Sequence, residues 1–211
     1  MGTKNVHNDG IWENSREDVD KCGLGSITYQ KSNKSVMLWG GITSEGLIPK
    51  DKPIFFKDEF LKDYCKKIKK LKITLDNVGY AKFIESMVIP ILHKDLKEDL
   101  TKYYWQDDND SKHRTAHVLA TIDKLFHHRI RKDKLGPKMA DILPIEHVWG
   151  VTHEKLLGKK FESKEKLKHE ITVIWKTFTP KVCNEMMMKI PRGLQLIIEK
   201  KGNQVHKSDF Q

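Results

Sequence analysis

Two acidic residues stand where this chain could do chemistry. Asp108 lies in Gln106-Asp107-Asp108-Asn109-Asp110-Ser111, where the aromatic segment Lys102-Tyr103-Tyr104-Trp105-Gln106 gives way to turn formers. Ligands in α/β sheets gather at the C-terminal ends of strands, although the same run of Asp, Asn and Ser also makes an ordinary solvated turn. Glu146 follows Pro144 in Ile142-Leu143-Pro144-Ile145-Glu146-His147. Proline there opens a helix, and an acid in the first turn can also simply complement the helix dipole. Taken together, two carboxylates on one side of a sheet supply hard oxygen ligands for a pair of divalent ions. Such a pair clamps the attacking and the leaving oxygen of a phosphodiester.

Other constellations are less specific. His113 and His117 stand four apart and could grip a metal, but no third ligand is fixed beside them, and two surface histidines of one helix are the plainer account. His127-His128-Arg129-Ile130-Arg131-Lys132 is a basic cluster. Its His128, Arg129, Arg131 and Lys132 suit nucleic-acid phosphates, and equally suit a solvated helix end. Gly23-Leu24-Gly25 lacks the remaining positions of a phosphate-binding fingerprint. Met186-Met187-Met188 and the tryptophans read as core.

The 211 residues carry 39 Lys+Arg against 29 Asp+Glu, a formal charge of +10 that points to polyanionic partners. Five Trp, five Tyr and eight Phe argue against a disordered chain. The longest uncharged apolar stretch, Ser86 to Leu92, is far short of the ~20 residues of a membrane span, and Met1 to Gly10 is too polar for a signal peptide. A soluble, non-secreted protein with no membrane association is expected. The three cysteines, Cys22, Cys65 and Cys183, form no CxxC pair, which fits a reducing compartment.

Strands and helices must alternate to position the acids. Ser35 to Thr43 is a continuous apolar run and predicts a strand buried on both faces, with Leu47 to Phe56 returning across Ser44-Glu45-Gly46 as a hairpin. Asp58 to Lys72 reads as a charged surface helix. Tyr80, Phe83, Ile84, Met87, Val88 and Ile91 form one helical stripe, Val118, Leu119, Ile122, Leu125 and Phe126 a second. Leu167, Ile171, Ile174, Trp175 and Phe178 form a third behind an N-cap at Ser163. Pro180 suits the first position of a helix to Met188; another spans Pro191 to Lys200, and the tail beyond Gly202 reads as polar and frayed. The expected organisation is a loop-rich segment over residues 1–34, a core over 35–178, and C-terminal helices with a polar tail over 179–211.

Four segments carry a family resemblance: Val36-Met37-Leu38-Trp39-Gly40-Gly41-Ile42, Gln106-Asp107-Asp108-Asn109-Asp110-Ser111-Lys112-His113, Pro144-Ile145-Glu146-His147-Val148-Trp149-Gly150, and Ile190-Pro191-Arg192-Gly193. In that order, and with Ile73-Thr74-Leu75-Asp76, Tyr80 and Lys201-Gly202 between and after them, they resemble the landmarks of mariner-superfamily transposases of the Tc branch over nearly the whole chain. The resemblance implies an α/β, ribonuclease-H-like mixed sheet flanked by helices, with acids binding Mg2+ or Mn2+ for cleavage and joining of DNA ends in the nucleus. It makes Asp108 the second acid of the triad and Glu146 the third, both catalytic and both metal ligands, with Asn109 and His113 shaping the loop after the second acid.

The departures bear on activity. In the family the first acid lies on a strand upstream of the Val36-like strand, and no residue of this chain stands there. Asp9, Asp18 and Asp20 read as turn residues. The family's helix-turn-helix region also has no counterpart, Arg114 stands as an insertion after His113, and Met139 to Leu143 departs from the usual serine, proline and asparagine. The sheet is therefore expected to lack the first acid-bearing strand, and the chain as it stands to be inactive. DNA is the expected partner, with a homodimer admitted. Two further readings stay open: a non-catalytic nucleic-acid-binding remnant and a different ribonuclease-H-like nuclease.

Overall fold

The computed structural model describes residues 35–96, 100–107, 113, 115–130, 142–203, 205 and 207–210. Its first part is a broken hairpin. Strand β1 (Leu38–Trp39) pairs antiparallel with β4 (Ile54–Phe55), and β2 (Gly41–Thr43) pairs antiparallel with β3 (Gly46–Ile48). The expected single strand is thus two short ones split at Gly40, and its residues are half-buried or exposed rather than buried on both faces. The split has a steric cause. A Cβ on Gly40 would lie 2.4 Å from the Trp175 ring, so the ring packs directly on backbone and the ladder changes partner there. The turn at Ser44-Glu45 is as expected, closed by Glu45 N–H donating to Thr43 Oγ1 at 3.2 Å and by Gly46 at φ +135°, a conformation that favours glycine.

A π turn (Lys57–Leu61) runs into α1 (Lys62–Lys67), which buries Leu61 and Cys65 and leaves its lysines in solvent. Asp58 bridges Lys62 and Lys168, each at 2.5 Å. The Lys168 and Lys62 ammonium groups hold its carboxyl at about 2, below the usual carboxylate range. The long central helix is α2 (Asn77–Phe83), a π turn (Ile84–Val88) and α3 (Ile89–Leu96). Asp76 caps it by accepting from Gly79 N–H at 2.7 Å, as an Asp at the N-cap should. The extra residue of the π turn rotates the buried stripe. The core therefore receives Tyr80, Phe83, Ile84, Val88, Leu92 and Leu96, while Met87 and Ile91 are half-buried.

Strand β5 (Tyr104–Trp105) is shorter than the aromatic run and pairs in parallel with β6 (His128–Arg129) across α4 (Ala116–Asp123). The basic cluster is therefore a strand at His128 and Arg129 and not a helix end; Arg131 and Lys132 lie outside the described residues. Helix α5 (Pro144–Leu156) opens on Pro144, and α6 (Lys164–Trp175) is capped by Ser163 accepting from Lys166 N–H at 3.1 Å. Helix α7 (Pro180–Met188) is capped by Thr179, and α8 (Ile190–Glu199) follows. Cys183 joins Leu47, Val148, Ile174 and Trp175 in a second core, so α7 shares the packing of β3 and α5. Met188 is 69% exposed, contrary to a wholly buried methionine run, because it falls on the outer face at the last turn of α7. The tail is also more anchored than its polarity suggests: Val205 is buried and Lys200 pairs with Asp209 at 2.5 Å.

This packing can be tested at two residues. Gly40→Ala forces the Trp175 ring aside and is expected to cost about 1–3 kcal/mol in a urea melt. Asp58 is more acidic folded than unfolded, so its stabilisation is complete above about pH 4 and lost as pH falls toward about 2. Asp58→Asn should flatten that part of the stability profile measured by acid titration of the denaturation midpoint.

Candidate active site

Three segments far apart in sequence meet at one cavity of about 320 Å³. The β1–β2 strands form one wall, the exit of β5 with Gln106 and Asp107 a second, and the start of α5 with Leu143, Pro144, Ile145 and Glu146 a third. Glu146 reaches the cavity because Pro144, with its fixed φ and missing N–H, sits at the first position of α5 and keeps the acid within the first turn. The Glu146 N–H donates to Leu143 O at 3.1 Å, and the residue is exposed at the positive end of the helix dipole.

The helix is held in place by Trp149, about one turn beyond Glu146. Trp149 stacks on Trp175 with ring centroids 5.7 Å apart and an interplanar angle of 28°, and Trp175 Nε1 donates to Pro49 O at 2.7 Å. These contacts tie α5, α6 and the β2–β3 hairpin together on the cavity's apolar side.

On the opposite side, His113 lines the cavity and stacks on Tyr80, 4.1 Å between centroids and 22° between planes. Tyr80 is 3% exposed, so His113 is held against the central helix. His113 precedes α4 whereas His117 lies within it and is exposed, so the two histidines are not the helix-surface pair that their spacing suggests. Asp108 and Asn109 lie outside the described residues. Among those described, no group of three or more His, Cys, Asp or Glu side chains comes together as a metal cage.

Asp107 reads in the sequence as part of a turn, yet it lines the same cavity as Glu146. Its adjacency to Asp108 at a strand exit is the signal that could have marked it. Among the described residues, Trp105 Nε1, Gln106 Nε2 and Thr115 Oγ1 are buried polar atoms without a hydrogen-bond partner. Such groups cost about 1–3 kcal/mol each, and Trp105 and Gln106 both belong to the cavity wall. His128 and Arg129 sit beside this wall on β6, with Arg129 Nε 3.7 Å from Asp123 Oδ1. Removing the His113 ring should lose its stacking on Tyr80, so His113→Ala is expected to lower stability by about 0.5–1.5 kcal/mol in a denaturant melt.

No protein-family model matches the chain. It is 22% identical over 175 residues to the transposable element Tc1 transposase of Caenorhabditis elegans and, over the same length, to the Tcb1 transposase of Caenorhabditis briggsae. Each match covers 83% of this chain and 55% of the relative, so the chain spans about half the length of the curated relatives it matches. Among solved structures it resembles the Mos1 transposase paired-end complex with left transposon end, with a TM-score of 0.65 at 13% identity. It also resembles the Mos1 mariner paired end complex with Mn, with a TM-score of 0.66 at 14% identity. Both cover 98% of this chain and 52% of the Mos1 chain. The chain is thus similar in sequence to Tc1-type transposases over most of its length and shares the fold of the part of the Mos1 transposase that it matches.

Proposed function

We propose that this chain corresponds to the DNA-cleaving and DNA-joining core of a transposase, working in the nucleus, with Asp108 and Glu146 as two of the three metal-binding acids that such a core uses. The observation that supports the reading is that Asp107, which precedes Asp108 in sequence, and Glu146 in the first turn of α5 line one cavity. The donor chemistry fits Mg2+ or Mn2+: Glu146 and the neighbouring Asp107 line the cavity with hard oxygen ligands of the type such ions prefer. One of the similar solved structures is a Mos1 complex with Mn, which accords with that donor set. When bound, the metal would polarise a phosphodiester oxygen and favour in-line attack.

The protein's own part is positioning. Glu146 lies in the first turn of α5, and the Trp149–Trp175 stack fixes the helix that carries it. Asn109 and His113 shape the loop around Asp108, His113 through its stacking on Tyr80. His128, Arg129, Arg131 and Lys132 supply positive charge along a phosphate backbone. A non-catalytic nucleic-acid-binding remnant is the second reading, supported by the net charge of +10, which by itself favours DNA without any cleavage.

The two readings separate by metal. For the catalytic core, Mn2+ should raise the melting temperature, Asp108→Ala and Glu146→Ala should each abolish that shift, and any nicking of a supercoiled plasmid should require both acids. Retained nicking in Asp108→Ala would remove that residue from the site. DNA binding that is steeply salt-dependent, indifferent to metal and untouched by either substitution would establish the binding remnant instead.

A further inference from the structure

Tyr104 is 67% exposed, an unusual position for a large ring beside a buried core. It is not loosely placed. The parallel register sets Tyr104 directly opposite His128, and the two rings stack with centroids 4.7 Å apart and 17° between planes. One face of the phenol ring is thus covered by imidazole, and the ring borders a surface depression of about 530 Å³ shared with Asp123, Phe126, His127, His128 and Arg129. The backbone ladder holds the stack, so a planar ligand would meet an aromatic surface already ordered.

The surroundings select among ligands. Exposed His127 and His128 border the depression, Arg129 stands in its wall with its side chain 15% exposed, and the exposed Lys102 and Lys124 lie two residues before Tyr104 and directly after Asp123 in sequence. Among the described residues that line the depression, Asp123 is the one acid, and Arg129 engages it at 3.7 Å. A flat aromatic among cations fits a flat aromatic attached to a phosphate. A hydrophobic protein partner would need an apolar surround that this patch lacks. Double-stranded DNA offers phosphates but keeps its base faces stacked inside the duplex, out of reach of the ring.

We infer that Tyr104, backed by His128 on the β5–β6 ladder, is a stacking platform for an unpaired base of single-stranded DNA, with the adjacent basic groups holding its phosphates. The inference deepens the proposed function, since it rests on the reading that the chain handles DNA; it is independent of the metal-binding acids. Stacking on one aromatic side chain is worth enough that its loss weakens binding about 5- to 150-fold. Backbone contacts supply affinity for either form of DNA and give the salt dependence.

The test uses the 211-residue chain with a fluorescein-labelled oligonucleotide of about 12 nucleotides, free or annealed to its complement, read by anisotropy. Tyr104→Ala should weaken single-strand binding by that factor, leave duplex binding within about twofold, and lose the quenching of a 2-aminopurine placed in the single strand. Tyr104→Phe, which keeps the ring, should behave as the unaltered chain. Equal single-strand affinity of Tyr104→Ala and the unaltered chain, or an unquenched 2-aminopurine in the unaltered complex, overturns the platform. Binding of duplex but not single strand overturns the platform and leaves the DNA reading standing, whereas binding of neither overturns both.

Discussion

The packing of Trp175 against the backbone of Gly40 is the contact on which the rest of the site depends. With no side chain at residue 40 the indole ring lies where a Cβ would be, and it also reaches Pro49 O through its N–H. One residue of α6 therefore fastens both ends of the segment that holds the β2–β3 hairpin. Trp149 then stacks on the same ring and fixes α5. Glu146 is three residues before Trp149 on that helix, so its place at the cavity is set by a tryptophan that is 1% exposed and is not itself among the residues lining the cavity. The position of a candidate metal ligand is in this sense a consequence of core packing.

Electrostatics contribute in a different place. Lys52–Glu59, Lys82–Glu85 and Lys159–Glu170 are exposed pairs of the kind worth about 1 kcal/mol or less. They order the surface without holding the fold. Among the described residues, the buried polar atoms left unpartnered are on Trp105 and Gln106 at the β5 exit, on Arg129 of the paired strand β6, and on Thr115 at the start of α4.

Much of this was legible in the residues. Ser163 and Pro180 mark helix starts by chemistry that acts within four residues, so α6 and α7 begin where expected. The place of Glu146 in a first turn was legible for the same reason, since Pro144 alone sets it. The failures share the opposite property. The split at Gly40 depends on a ring 135 residues away in sequence, and beyond the π turn at Ile84–Val88 the buried stripe passes to Leu92 and Leu96 and leaves Met87 and Ile91 half-buried, without any breaker residue to announce it. The pairing of β6 with β5 is also invisible locally, because His128 and Arg129 are poor strand formers whose conformation is decided by the neighbouring ladder. Asp107 was hidden by resembling its neighbours in a turn.

The short β5 strand connects the two proposed activities. Its side chains alternate, so Tyr104 is turned outward to His128 while Trp105 packs on Phe126, 5.0 Å between ring centroids, at the cavity wall. Phe126 and Tyr104 border both the cavity and the outer depression. A DNA strand lying across the end of this ladder would therefore meet the aromatic platform and the acid-lined cavity within the reach of neighbouring nucleotides. Stacking an unpaired base on Tyr104 would hold the adjoining backbone against the β5 exit, where the buried N–H donors of Trp105 and Gln106 and the carboxylate of Glu146 lie. On the proposed arrangement, binding energy gained at the exposed ring would serve to orient a phosphodiester beside the acids, a proximity effect.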